Sequence, residues 1–143
     1  MTIRPGDPVV HVWRRLLQYH HRATTALDAE LTTERNLSLE EYDVLFQLQD
    51  AGSALRMSDL ASAVLVTRSS CTRLVDRLQT RGFVERRASD EDRRSVTVSI
   101  TSSGRAVLRR AATTHLRGID SLFASRVDGR DLADLARILD RLG

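Results

Sequence analysis

A mainly α-helical chain with one small β-hairpin, an α+β fold, is what the sequence predicts. Three observations lead there. Apolar residues recur at helical spacing over two long terminal stretches. Between them lie short segments punctuated by capping residues and glycines. Directly after Gly82 the apolar period changes from helical to alternating.

The first stretch, residues 8–35, reads as one long helix. Val9, Trp13, Leu16, Leu17, Ala23, Leu27 and Leu31 form its stripe, with His20 and Thr24 on the same side. Pro8 suits a first helical turn. A helix of this length spans roughly 40 Å, more than a small globule needs. Ser38 and Glu41 form a capping-box pattern that opens a second helix to about Asp50, with Leu39, Tyr42, Leu45, Phe46 and Leu48 or Gln49 inward. Gly52 ends it. Residues 54–57 are a short extended link. Ser58 and Asp59 are expected to cap a short helix, 59–64, with Leu60 and Val64 inward. Leu65 and Val66 make the turn. Thr67 caps a fourth helix, to about Thr80 or Arg81, whose apolar face is Cys71, Leu74, Val75 and Leu78.

Past Gly82, residues 83–87 read as a strand, 89–94 as a polar turn and 95–100 as an alternating strand with Val96, Val98 and Ile100 on one face. A long helix follows from Thr101 to about Val127, striped by Leu108, Ala111, His115, Ile119, Leu122 and Phe123. Asp128-Gly129 breaks it. A last helix, about 130–142, carries Leu132, Leu135, Leu139 and Leu142.

The 143 residues suit one domain with helical extensions; 41% hydrophobic residues fill a core, and 29% charged residues cover an ordinary surface. The apolar runs are too short to span a bilayer, and the start Met1-Thr2-Ile3-Arg4-Pro5 lacks a signal-peptide core. A cytoplasmic location is expected. The lone cysteine, Cys71, excludes an internal disulfide framework and an all-cysteine metal site within one chain.

Net charge is +3, and all 22 basic residues are arginine. Residues 1–50 carry 5 Arg against 8 acids; residues 51–100 carry 9 Arg against 6 acids. Six of these arginines (68, 73, 77, 81, 86, 87) fall within residues 68–87, against Asp76 and Glu85. A basic middle beside an acidic first third points to a polyanion partner. The order short helix, turn, capped helix, hairpin over 38–101 is a helix-turn-helix followed by a β-wing. Such a second helix offers its first turn to a DNA major groove. Its outward residues are Arg68, Ser69, Thr72, Arg73, Asp76 and Arg77. Arginine can bind guanine bidentately, and hydroxyls donate to bases or phosphates.

The run Leu60-Ala61-Ser62-Ala63-Val64-Leu65-Val66-Thr67-Arg68-Ser69-Ser70-Cys71-Thr72-Arg73-Leu74-Val75-Asp76-Arg77-Leu78, continued by Arg81-Gly82-Phe83-Val84-Glu85-Arg86, resembles the MarR (multiple antibiotic resistance regulator) family. Asp92-Arg93-Arg94, then five residues to Ile100-Thr101-Ser102-Ser103-Gly104, is similar to that family's wing signature, with Ile100 in place of leucine. The resemblance implies a bacterial, homodimeric winged helix-turn-helix regulator. It would be a repressor of a pseudo-palindromic operator, released by a small molecule. Residues 38–101 would form the DNA-binding module, and 1–37 with 102–143 the dimerisation region. It also implies that Arg94 enters the minor groove and that Asp92 braces an arginine; Arg93 is extra to that pattern and is suited to a phosphate contact.

The expected DNA-binding set is Thr67, Arg68, Ser69, Ser70, Thr72, Arg73, Arg77, Arg86, Arg87, Asp92, Arg93 and Arg94. Trp13, His20, Tyr42, Phe46 and His115 are the candidates for an effector site, suited to a planar, weakly acidic ligand or another amphipathic compound. His20 and His115 are otherwise expected as partly buried, hydrogen-bonded core histidines. No catalytic constellation, phosphate loop, metal-ligand set or cofactor motif is present. The alternatives are a winged-helix protein-interaction module and an activator of the same fold.

Overall fold

The computed structural model describes residues 2–88, 91 and 94–143. The elements are α1 (Pro8–Arg35), α2 (Leu39–Asp50), β1 (Ala54–Arg56), α3 (Met57–Val64), α4 (Arg68–Thr80), β2 (Val84–Ala88), β3 (Val96–Ile100), α5 (Ser102–Leu122), a 3-10 turn (Ala124–Arg126) and α6 (Gly129–Leu142). The helix-turn-helix is α3 and α4, and β2 with β3 form the wing. Leu45 and Leu48 of α2, Leu60 of α3, Leu74, Val75 and Leu78 of α4, and Val98 of β3 are buried in one core. Burying each such aliphatic side chain is worth roughly 1.5–3 kcal/mol.

Local chemistry accounts for most of the ends. The Ser38 side chain accepts from the Glu41 amide at 3.0 Å, and the Thr67 hydroxyl accepts from the Ser70 amide at 3.2 Å. Asp128 and Asp131 close a reciprocal capping box on α6. Gly52 and Gly82 end α2 and α4 with φ of 90° and 78°, which glycine adopts without strain.

Several expectations needed correction. The Ser38 box is only half made: the Glu41 carboxylate, nearly buried, accepts from Arg81 at 3.1 Å. The two guanidiniums beside it, Arg81 and Arg77, hold it across the α2–α4 interface. The short helix starts at Met57 after Arg56 and has no side-chain cap; the Ser58 carbonyl instead accepts from the Ser62 hydroxyl. The link 54–57 contributes a true strand. β1 pairs antiparallel with β3, giving the order β1-β3-β2, with Leu55 opposite Val98. On α2, Val44 is buried and Phe46 is 45% exposed. The long fifth helix stops at Leu122, and the chain tightens into the 3-10 turn before Val127.

Thr101 joins the wing to α5. Its hydroxyl donates to the Gly82 carbonyl at 2.7 Å and accepts from the Gly104 amide at 3.1 Å. Its own amide donates to the Phe83 carbonyl. A methyl group at Gly104 would collide with that same carbonyl and lie 2.8 Å from Ile100 Cγ1. Only a residue without Cβ lets α5 seat there.

α1 and α5 cross closely at Gly118, where a Cβ would meet Leu27 Cδ2 at 2.5 Å. One turn away, the fully buried Thr114 hydroxyl donates to Glu34 and accepts from Arg35 Nε at 2.9 Å. Glu34 in turn pairs with Arg117. Elsewhere α1 lacks cover, and so does α6. Leu31 is the one fully buried residue of α1, and α6 has none among its described residues.

Candidate nucleic-acid interface

α4 is held by its apolar face, so its opposite face is open. Arg68, Ser69 and Arg73 are exposed there, and Thr72 is half-buried. Thr67 and Ser70 are occupied at the helix start: the Thr67 hydroxyl donates to Ser70 Oγ at 3.0 Å and accepts from its amide. Thr72 donates back to the Arg68 carbonyl at 3.0 Å. The exposed guanidiniums therefore carry most of the uncommitted hydrogen-bonding capacity of this face.

Between α4, the wing and the start of α3 runs a cleft of about 430 Å³, lined by Arg56, Ser58, Arg68, Thr72, Arg86 and Arg94 among others. Four arginines share one concave surface and give it positive character, partly offset where Arg86 pairs with Asp76. Arg56 and Ser58 were not among the expected site residues. The available signal was an arginine directly before the short helix. It gained meaning only when β1 paired with β3 and carried Arg56 to the wing.

Two expected DNA contacts have protein partners. Arg86 forms an ion pair with Asp76, and its Nε donates to Gln79 Oε1 at 2.9 Å. It clamps the wing to α4. Arg77 turns towards α2, with Nε 3.9 Å from Glu41. Arg87 is exposed on β2. Arg94 lines the cleft, whereas Asp92 and Arg93 lie outside the described residues.

On the other side of the helix-turn-helix is an open cavity of about 830 Å³. α1 contributes His20, Thr24 and Leu27; α2 contributes Leu39, Glu40, Tyr42, Asp43 and Phe46; α5 contributes His115, Leu116 and Ile119. The remaining wall is Val64, Leu65 and Val66, the turn that leads into Thr67. Leu65 is left-handed, with φ of 61°, and 90% exposed. Tyr42 packs on His115 with ring centroids 4.5 Å apart, and stacks with Phe46 at 6.4 Å.

Four of the five expected effector residues therefore meet. Trp13 does not: it lies two turns earlier on α1, roughly 10 Å along the axis from His20, and is exposed. His20 is exposed rather than partly buried. His115 is half-buried as expected, but its buried Nδ1 has no hydrogen-bond partner among the described residues. Burial pushes the His115 imidazole down, against the opposing pull of Asp43. Burial pushes the Asp43 carboxyl up, offset by the Gln47 hydrogen bond and His115. Burial also raises Cys71, a thiol that donates to Met57 sulfur at 3.8 Å inside the core.

A capped helix against a three-stranded winged sheet, flanked by long helices, defines a winged helix-turn-helix protein. The MarR family profile matches residues 35–95. An HTH-type transcriptional regulator of Bacillus cereus is 30% identical over 112 residues, covering 78% of this chain and 73% of that protein. The regulator YfiV of Bacillus subtilis is 39% identical over 74 residues. The chain spans about half the length of YfiV and of PecS from Dickeya dadantii, 46% and 55%. Sco3205 of Streptomyces coelicolor, a MarR family regulator crystallised in complex with DNA, superposes with a TM-score of 0.89 at 25% identity, covering 99% of this chain and 88% of that one. The chain belongs to the MarR family, a family of transcriptional regulators and not of enzymes. Among the described residues no helix is long and apolar enough to cross a membrane.

Proposed function

We propose that the protein is a homodimeric transcriptional repressor that binds a pseudo-palindromic DNA site and is released by a small molecule. The observation that carries DNA binding is the arginine-lined cleft joining α4 to the wing. Arg68 and Arg73 would read bases in the major groove, Arg94 would reach the neighbouring minor groove, and Arg56 and Arg87 would contact phosphates. The DNA complex of Sco3205, with the same fold, supports this reading.

Dimerisation is supported by the apolar faces that one protomer leaves open. Val12, Trp13 and Leu17 on α1, and Leu132, Leu139 and Leu142 on α6, are each at least half exposed. A second copy is the simplest cover for such faces. Release is supported by the position of the cavity, because its wall includes the turn that sets the start of α4. A ligand there has a direct mechanical route to the recognition helix.

The test is a fluorescence-anisotropy titration on the DNA upstream of the gene at several salt concentrations. Affinity should fall linearly on a double-logarithmic plot, with a slope of about 0.9 per phosphate neutralised. Equal affinity for that DNA and a scrambled duplex at every salt concentration would refute sequence-specific regulation.

A further inference from the structure

The cavity between α1, α2, α5 and the helix-turn-helix turn has the wrong charge for the weakly acidic ligand that its aromatic residues suggest. Among the described residues, the ionisable groups lining it are two carboxylates, Glu40 and Asp43, two imidazoles, His20 and His115, and the Tyr42 phenol. Among the described residues no arginine lines it, and the chain has no lysine. Arg77 faces the adjoining groove and sits by Glu41 instead. A carboxylate ligand there would face the half-buried Asp43 and the exposed Glu40 with no arginine beside it.

Asp43 makes the mismatch acute. It is half-buried, and its described polar contact is a 3.3 Å hydrogen bond from Gln47 Nε2. His115 does not supply the missing charge, because burial favours its neutral form. The Phe46 ring, 45% exposed, adds a π-face that attracts cations and repels anions. The rest of the wall is mostly aliphatic, and about 830 Å³ suits a molecule of drug size.

We propose that this cavity takes an amphipathic organic cation, an amine on an aromatic or branched apolar body. Its ammonium group sits between the Asp43 carboxylate and the Phe46 ring, and its apolar body lies against Leu116, Ile119 and the Val64–Val66 turn. This rests on reading the cavity as the effector site, and narrows that site's ligand to the cationic class.

The test uses three probes of one shape on the full-length protein: 1-naphthylmethylamine, 1-naphthylmethanol and 1-naphthoate, titrated by calorimetry at neutral pH. The amine is expected to bind at least about tenfold more tightly than the carboxylate, with the alcohol between them. Asp43→Asn should remove most of that preference and leave the alcohol within about twofold. Phe46→Leu, which keeps apolar volume, should weaken the amine about two- to fivefold and spare the alcohol. It serves as the second readout if the Asp43 variant folds poorly. Naphthoate binding as tightly as the amine, or an amine affinity indifferent to both substitutions, overturns the cationic assignment while leaving an effector site standing. Failure of all three probes to bind at millimolar concentration overturns both.

Discussion

Gly104 and Leu65 are two single positions where backbone geometry decides what is allowed. At Gly104 the obstruction is a carbonyl oxygen on a neighbouring segment, which cannot rotate away as a side chain would. Gly104→Ala should destabilise the protein by about 1–3 kcal/mol, as overpacking does, and urea denaturation should show an earlier midpoint. An unchanged midpoint would mean that α5 slides without cost. Leu65 shows the opposite economy. A leucine in the left-handed region costs roughly 1–2 kcal/mol, and this one also faces solvent. Leu65→Gly should leave the melting temperature level or raise it, while enlarging the mouth of the cavity. A clear loss of stability would show that its side chain is covered in the assembled protein. Of the site, the exposed residues of α4 were legible, because Cys71, Leu74, Val75 and Leu78 fix which face turns inward. The fates of Arg77 and Arg86 were not, because their acceptors, Glu41 and Asp76, sit on elements whose relative placement no spacing reveals.

Two contacts between elements set how the parts move together. The Arg86 pair with Asp76 ties β2 to α4. Arg86→Ala should cost little stability, because Asp76 is largely solvated, but it should loosen the wing and weaken DNA binding. In a double-mutant cycle with Asp76→Ala the losses should be strongly non-additive; additive losses would remove the clamp. The second tie runs between α1 and α5. The Arg117 and Thr114 hydrogen bonds hold the Glu34 carboxyl below its ordinary value of 4.5. A carboxyl lowered by folding contributes stability above its unfolded value, and loses it as pH falls through the folded one. Wild-type protein should therefore lose more stability than Glu34→Gln between about pH 5 and pH 3. Parallel pH profiles for the two would exclude this tie as a source of acid sensitivity. Helix existence was readable from apolar periodicity and caps. The α3 start was not, because it has no side-chain cap, and neither was the β1–β3 pairing, which joins residues more than forty positions apart.

Over the whole molecule, the winged module is well packed, while the N-terminal half of α1 and all of α6 present leucines, valines and a tryptophan to solvent. Light scattering at micromolar concentration should return twice the chain mass. Leu139→Asp combined with Leu142→Asp should shift the protein to monomer and abolish binding to a two-half-site duplex. A wild-type monomer would sink the dimer. The joint at Thr101–Gly104 has a further consequence, best put in terms of leverage. α5 has 21 residues, so it is a bar about 31 Å long, and the wing is bolted to one end with no flexible segment between. A tilt of about 5° at the far end is then a shift of roughly 3 Å at the module, about the length of one hydrogen bond. The protein would need no unfolding, hinge or loop closure to disengage from DNA. The angular tolerance of one rigid bar would decide whether the recognition helices of the two copies still fit their grooves.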